Sequence, residues 1–394
     1  MMSGRKVVAH FVRGFPDPTE IFIENQLRSL SRYERVVYCR RTLPGHSFED
    51  IGVNDVPGLL SPAMRAVETL SYSALRWLSP VAGRRLSEHV RRSGACVLHL
   101  HFVVDARFFI RVCRELRLPV VVSAYGYDVS HFPRMSWGIG LKYLRPVFEE
   151  ADIFLAMSED MRRDLIGLGC PAEKVLVHYH GICVDRFLYP ARTYAHRPVT
   201  RILVCGRLIP KKGHAVLFRA LAGIVRERLV SDPFSLVVVG EGPLRPHLES
   251  LAKDLGLQDV VIFRGHIPHH HDALLQEYRE ADIFALPSLT VHGDKEGIPG
   301  TLVEAMTSGL AVVSTNHAGI PEVVTSGRDG ILVHEGDSEA LASELARLIK
   351  MPRLREELGS AAARKARDSF DARTRAAALE TIYDDLIKQT ARPQ

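Results

Sequence analysis

Short, nearly continuous apolar runs alternate along the chain with longer segments whose apolar residues recur at helical spacing. In the first half, residues 7–11, 36–38, 96–101, 119–123, 153–156 and 175–177 read as strands, with helices over 107–116 and 159–168. In the second half, 202–205, 236–239, 260–263, 283–286 and 311–314 have the form of strands buried on both faces. Leu244, Leu248, Leu251 and Leu255 fall on one face of the helix after 236–239. Alternating strand and helix predicts an α/β protein with parallel sheets covered on both sides. A Pro- and Arg-bearing stretch over 190–198 interrupts the pattern and reads as a linker. The expected architecture is two Rossmann-like, doubly wound domains facing across a cleft, residues 1–195 and 196–369. A last helix is expected over 370–394, with Ala377, Leu379, Ile382, Tyr383 and Leu386 at helical spacing; periodicity leaves its docking site open, a return to the first domain being one option.

Composition changes this picture little. The 394 residues exceed what one core usually serves. Apolar content of 46% and charged content of 25% describe an ordinary globular chain. No apolar run is long enough for a membrane span or a signal peptide, so a cytoplasmic location is expected. The six scattered cysteines form no CxxC pair, which fits a reducing compartment.

Charge changes the picture more. Residues 1–197 hold 27 Lys+Arg against 20 Asp+Glu, the remainder 24 against 26. The basic surplus points the first half at an anionic partner, a phospholipid surface or a phosphorylated acceptor. Over residues 64–92, Arg65, Arg76, Arg84, Arg85, Arg91 and Arg92 are interspersed with Leu70, Tyr72, Leu75, Trp77, Leu78 and Val81. That mixture predicts an interfacial segment, peripheral at the inner face of the cytoplasmic membrane. Nucleic acid is not among the expected partners.

The loops after second-half strands carry the candidate chemistry, because ligands gather at the carboxyl ends of parallel strands. Gly206, Arg207, Lys211, Lys212 and Gly213 follow a strand and open a helix, the outline of a diphosphate site. Glu296, Gly297, Ile298, Pro299, Gly300, Thr301, Leu302 and Glu304 place one carboxylate in a Gly/Pro loop and a second in the helix that the loop begins. A carboxylate among apolar helix neighbours needs hydrogen-bond donors, and ribose hydroxyls would supply them. Gly240-Glu241-Gly242-Pro243 fails as a dinucleotide fingerprint, since Arg245 replaces the third glycine. His266, His269, His270 and His271 read as a solvated loop, and no metal site is expected.

Taken in order, these pieces resemble family 4 retaining glycosyltransferases of the GT-B fold, of the exopolysaccharide and colanic-acid type. The landmarks are Gly206-Arg207-Leu208 with Lys212-Gly213, Val239 to Pro243, Ala281-Asp282-Ile283 with Leu286-Pro287-Ser288, Glu296 with Glu304, and His317 to Glu322. In the first half they are Phe15-Pro16, Thr19 to Ile23, His99-Leu100-His101-Phe102, Tyr125 to Asp128 and His180-Gly181. The resemblance implies a hexosyltransferase using a nucleotide diphosphate-sugar, with no separate cofactor, and an acceptor such as a lipid-linked glycan. It assigns Arg207 and Lys212 to the diphosphate, Glu296 to the transferred sugar (these three being the catalytic set) and Glu304 to the ribose. Gly14, His101, Tyr125 and Asp128 become acceptor-side candidates. Tyr125-Gly126 stands where many relatives carry His-Gly, and Cys183 where an aspartate is usual. The alternatives are a catalytically silent subunit of a polysaccharide assembly complex, or a phosphorylase or epimerase on the same fold.

Overall fold

The computed structural model describes residues 5–17, 19–43, 51–75, 78–135, 139–189 and 198–390, with side chains of 70–75 left aside. The chain separates into two compact units, one taking residues up to Gly181 together with those from Ala372 on, the other Ile182–Asp371.

The first unit is built on strands β1 (Lys6–Phe15), β2 (Tyr33–Thr42), β3 (Gly52–Asp55), β4 (Ala95–His101), β5 (Val120–Ser123), β6 (Ile153–Ala156) and β7 (Val175–Val177). All pair in parallel, in the order β3-β2-β1-β4-β5-β6-β7. The second unit holds β8 (Thr200–Cys205), β9 (Phe234–Val239), β10 (Val261–Gly265), β11 (Ile283–Leu286), β12 (Ala311–Thr315) and β13 (Ile331–Val333), parallel in the order β10-β9-β8-β11-β12-β13. In each sheet the strand order reverses beside the first strand, between β1 and β4 and between β8 and β11. Each switch point lies at the carboxyl ends of its own sheet's strands, the place where an open α/β sheet binds ligands.

Burial follows the apolar runs. Val204, Val237, Phe284, Ala285 and Val312 are almost completely excluded from water. The last helix, Ala372–Thr390, lays Ala376, Leu379, Tyr383 and Leu386 on Val8, Val97, Val121 and Leu155 of the first sheet. Ala377, expected on that face, is exposed, and Ala376 takes its place in the stripe. Glu380 fixes the helix by accepting from the backbone N–H groups of Ser31 and Arg32 at 2.7 and 2.6 Å.

The second unit begins earlier than the boundary read at 195/196, because Ile182 donates its N–H to the Phe370 carbonyl at 2.9 Å. Most of the linker-like stretch, 190–197, lies outside the described residues. So do Arg76 and Trp77 of the interfacial segment, along with the side chains of Leu70, Tyr72 and Leu75. The described part of that segment corrects the expectation in one respect. Leu78 is buried, and helix Pro80–Arg92 turns Ala82, Leu86 and Val90 into the core, so these apolar residues already have a protein partner. Its arginines lie outward, Arg85 and Arg92 paired with Glu88 and Arg91 with Glu115. Among the described residues no helix is long and apolar enough to cross a membrane.

Candidate functional site

Glycines bring the second unit's loops together. Gly213 has φ +71°, and a Cβ there would stand 1.8 Å from the Pro287 carbonyl oxygen, so the loop after β8 seats directly on the loop after β11. Gly240, at φ +140°, lies against Gly206 in the same way, with 1.9 Å to its oxygen. The Gly240-Glu241-Gly242 sequence is therefore a packing device between two crossover loops.

That docking carries Lys212 to Glu296, Nζ to Oε1 3.0 Å, with both side chains nearly buried. Burial pushes the Glu296 carboxyl up, but Lys212 and Lys211 beside it outweigh burial and hold it below its usual value. Lys211 braces the same loop through Asp294 at 3.0 Å and the Lys295 carbonyl at 3.2 Å. The Glu296 backbone N–H donates to His317 Nε2 at 3.0 Å. A backbone N–H can only donate, so Nε2 carries no proton and His317 Nδ1–H donates to Glu335 at 2.7 Å. Glu335 in turn accepts from the Thr290 N–H at 2.6 Å. The Glu296 loop is thus pinned from both sides, by a salt bridge through its side chain and by an oriented imidazole through its backbone.

Glu304, 3% exposed, sits in helix Gly300–Thr307. Tyr278 donates its O–H to one carboxylate oxygen at 2.7 Å and His269 its Nε2–H to the other at 2.9 Å. Phe187 packs on both partners, its ring 5.7 Å from His269 and 5.4 Å from Tyr278. The donors expected from a ribose are supplied first by the protein, and each carboxylate oxygen keeps a second lone pair for a ligand. This corrects the solvated-loop reading of the histidine cluster: His269 is mostly buried on Glu304, and His271 accepts from the Ala273 N–H at 3.1 Å to cap helix Asp272–Glu280.

The remaining donor-side candidates divide. Arg207 is exposed at the end of β8 and, among the described residues, makes no ion pair. Gly297, Ile298 and Pro299 are buried in the loop, and Thr301 Oγ1 is buried without a hydrogen-bond partner. Leu302 is a correction: its side chain is core and its N–H is bonded to the Pro299 carbonyl at 3.1 Å, so it shapes the loop without facing a ligand.

In the first unit, Gly14 lies at the end of β1 and Tyr125 follows β5. Asp128 is fully buried, accepting from the backbone N–H groups of Val103, Tyr125 and Gly126 at 2.8, 3.0 and 3.0 Å. It clamps two loops and has no face for an acceptor, which corrects its assignment. His101 is equally buried, bonded to His10 at 3.1 Å and to the Tyr125 hydroxyl at 2.7 Å, so it bears on a ligand only through Tyr125. Burial pushes His101 down to about 3 and His10 and His99 well below their usual range, so all three are neutral. Their ring nitrogens lie close enough to share an ion. However, His99 spends both nitrogens on Tyr383 and Ser123, and its ring stacks on His101 at 4.4 Å and 15°. Lone pairs in the planes of stacked rings run parallel and do not converge on one metal.

Residues 196–365 match the family model described as glycosyl transferases group 1, and residues 20–186 that of glycosyltransferase family 4. The chain is 40% identical over 203 residues to the amylovoran biosynthesis glycosyltransferase AmsK of Erwinia amylovora, covering 51% of this chain and 48% of that one. It is 35% identical over 238 residues to the putative colanic acid biosynthesis glycosyltransferase WcaL of Salmonella typhimurium, covering 60% and 57%. Thus it spans about half the length of these two relatives. To the GDP-mannose-dependent alpha-(1-6)-phosphatidylinositol monomannoside mannosyltransferase of Mycolicibacterium smegmatis it is 30% identical over 276 residues, covering 67% and 69%. Among solved structures, Anabaena Alr3699/HepE in complex with UDP superposes with a TM-score of 0.76 at 18% identity, covering 96% of this chain and 100% of that one. The fold is GT-B.

Proposed function

The chain belongs to glycosyltransferase family 4, and on that membership we propose that it moves a sugar from a nucleotide diphosphate-sugar to an acceptor hydroxyl with retention of configuration, in exopolysaccharide or other surface glycan synthesis. The carrying observation is the Lys212–Glu296 pair at the β8/β11 switch point, one helix from the buried Glu304. Lys212 balances the charge of Glu296 as an ion pair at 3.0 Å, and the N–H donors of its ammonium are offered to phosphate oxygens. Arg207, exposed beside it, adds a bidentate grip on the leaving diphosphate. Glu296 and the loop N–H groups after it hold the sugar, and Glu304 the ribose. Charge that develops on the leaving group meets fixed cations, and a donor phosphate oxygen takes the acceptor proton on the same face. The acceptor is a lipid-linked glycan presented at an anionic membrane surface; the basic surplus of residues 1–197 and the outward Arg84 and Arg85 support this.

A thermal-shift screen of UDP-, GDP-, dTDP- and ADP-sugars tests the donor class. A ligand at 100 times its Kd adds about 2.7 kcal/mol, a clear shift. If no nucleotide-sugar stabilises the protein, the proposal fails.

Two further outcomes are expected. Turnover survives EDTA and the product anomer matches the donor, because the cations that stabilise the leaving group belong to the chain. Activity lost in EDTA and restored by added metal, or an inverted product by NMR, contradicts this. His317→Ala, which frees the Glu296 N–H from its acceptor, is expected to lower kcat/KM by about tenfold, the worth of about 1.4 kcal/mol. Nucleoside diphosphate affinity is expected to stay unchanged in that variant; an equal loss of both would show that the imidazole supports the whole site and not the sugar loop.

A further inference from the structure

The first unit buries four polar groups that the transfer chemistry leaves unused: His10 on β1, His99 and His101 on β4, and Tyr383 on the last helix, all closed to water. Two chains of hydrogen bonds run from them, and both end on Tyr125 at the carboxyl end of β5. His10 Nδ1 lies 3.1 Å from His101 Nε2, and His101 Nδ1 2.7 Å from the Tyr125 hydroxyl. In the second chain the Tyr383 hydroxyl lies 2.5 Å from His99 Nδ1, and His99 Nε2 lies 2.8 Å from Ser123 Oγ. Ser123 in turn acts on the Tyr125 phenol as a hydrogen-bond donor.

The direction of each chain is set at its buried end. Among the described residues the Tyr383 hydroxyl has one hydrogen-bond partner, so it donates to His99 Nδ1. A neutral imidazole carries one proton, which in His99 is then on Nε2 and goes to Ser123, leaving the Ser123 O–H for Tyr125. His10 Nε2 is buried with no partner among the described residues. A bare lone pair is tolerated there better than an N–H, so His10 donates from Nδ1 to His101 Nε2, and His101 gives its Nδ1–H to Tyr125. The phenol oxygen therefore accepts from both chains, and among the described residues its own O–H has no acceptor. Burial, with Glu20 and Asp128 adding to it, holds the phenol above its usual range against the pull of Ser123, so the proton stays. Phe22 and Phe102 pack on the ring at 4.6 Å each, and Asp128 accepts the Tyr125 backbone N–H at 3.0 Å, which fixes the side chain in place. Tyr125 itself is only partly buried.

We propose that the two chains position Tyr125 as a fixed hydrogen-bond donor to an oxygen of the acceptor sugar, with His10, His99, His101 and Tyr383 as positioning residues that act through it. This rests on the transferase function above and adds the group that orients its acceptor. A phenol held in this way does not take the acceptor proton, and that step stays with the donor phosphate oxygen.

The test begins with nitrogen-15 NMR of the full chain labelled at histidine, with His99→Gln and His101→Gln to assign the signals. His99 is expected to be protonated on Nε2 and His101 on Nδ1. The methyl α-D-glycopyranosides of glucose, galactose and mannose are then titrated. At least one is expected to shift the His101 signals and to bind Tyr125→Phe about fivefold more weakly, the worth of one neutral hydrogen bond. The phenylalanine keeps its place between Phe22 and Phe102, so this variant folds. Tyr383→Phe, which cuts the second chain at its far end, is expected to weaken the same sugar about twofold. His101 protonated on Nε2 would spend the phenol proton on Nδ1 and overturns the proposal, as does unchanged sugar affinity in Tyr125→Phe or no shift from any of the three glycosides. UDP and GDP are titrated in parallel, and failure of both to bind the unaltered protein would strike the transferase function instead.

Discussion

Lys212→Ala is expected to lower turnover by at least about a hundredfold, the equivalent of roughly 2.7 kcal/mol. Two losses combine. A charge-assisted contact to phosphate is worth about 1.5–3 kcal/mol. The second loss is at Glu296, whose nearly buried carboxylate gives up the ammonium 3.0 Å away and keeps the lesser pull of Lys211 and His317. Removing one member of a buried pair costs more than the pair itself contributes, because the remaining charge has neither water nor partner. The second loss is separable. In a Glu296→Gln background the stranded charge is gone, so Lys212→Ala there is expected to cost clearly less than in the unaltered protein. Steady-state kinetics on the four proteins measure this. Near-normal turnover in Lys212→Ala would remove Lys212 from the leaving-group site, and strict additivity across the cycle would mean that the stranded Glu296 charge adds nothing to the loss.

Why Lys212 and Glu296 can each be singled out in the sequence, though not as a pair, while the support of Glu304 cannot, follows from what each depends on. A run such as Ile283–Leu286 is apolar at every position because a parallel strand is covered on both faces, so the sequence shows it directly. Gly52–Asp55 is polar and short, as an edge strand at the end of the sheet tolerates, and Ile331–Val333 spans three residues; neither has a pattern to detect. Charged residues after strand ends are likewise visible, since the switch-point rule needs only the strand order. The support of Glu304 is different in kind. Tyr278 and His269 lie 26 and 35 residues before it, on other elements, and only the packing of helix Asp272–Glu280 and the loop before it brings them to one carboxylate. Tyr278 carries no signal beyond its place among Leu274 and Leu275, and His269 is disguised by the two histidines after it. Asp128 failed in the opposite direction: a carboxylate beside Tyr125-Gly126 looks like a ligand contact, yet the three N–H groups it accepts belong to its own loops.

Glu304→Ala is expected to weaken UDP or GDP binding, whichever the protein prefers, by at least about thirtyfold even with no sugar attached, while Glu296→Ala leaves that affinity within about threefold. The ribose hydroxyls would lose a charged acceptor, worth about 2 kcal/mol. Tyr278 and His269, both packed against Phe187, would also lose their partner, and two stranded donors add to the cost of ordering the site. Part of that second cost falls on folding and lowers the Tm, so binding is compared by calorimetry well below the transition of each variant. Glu304→Gln separates the two contributions. The amide keeps its size and one carbonyl acceptor, so Tyr278 stays satisfied while the charge facing the ribose is lost. It is expected to fold nearly as well as the unaltered protein and still bind nucleoside diphosphate at least about tenfold more weakly. Full affinity in Glu304→Gln would mean that the carboxylate serves only Tyr278 and His269, and equal losses in Glu304→Ala and Glu296→Ala would mean that the two glutamates do not divide ribose from sugar.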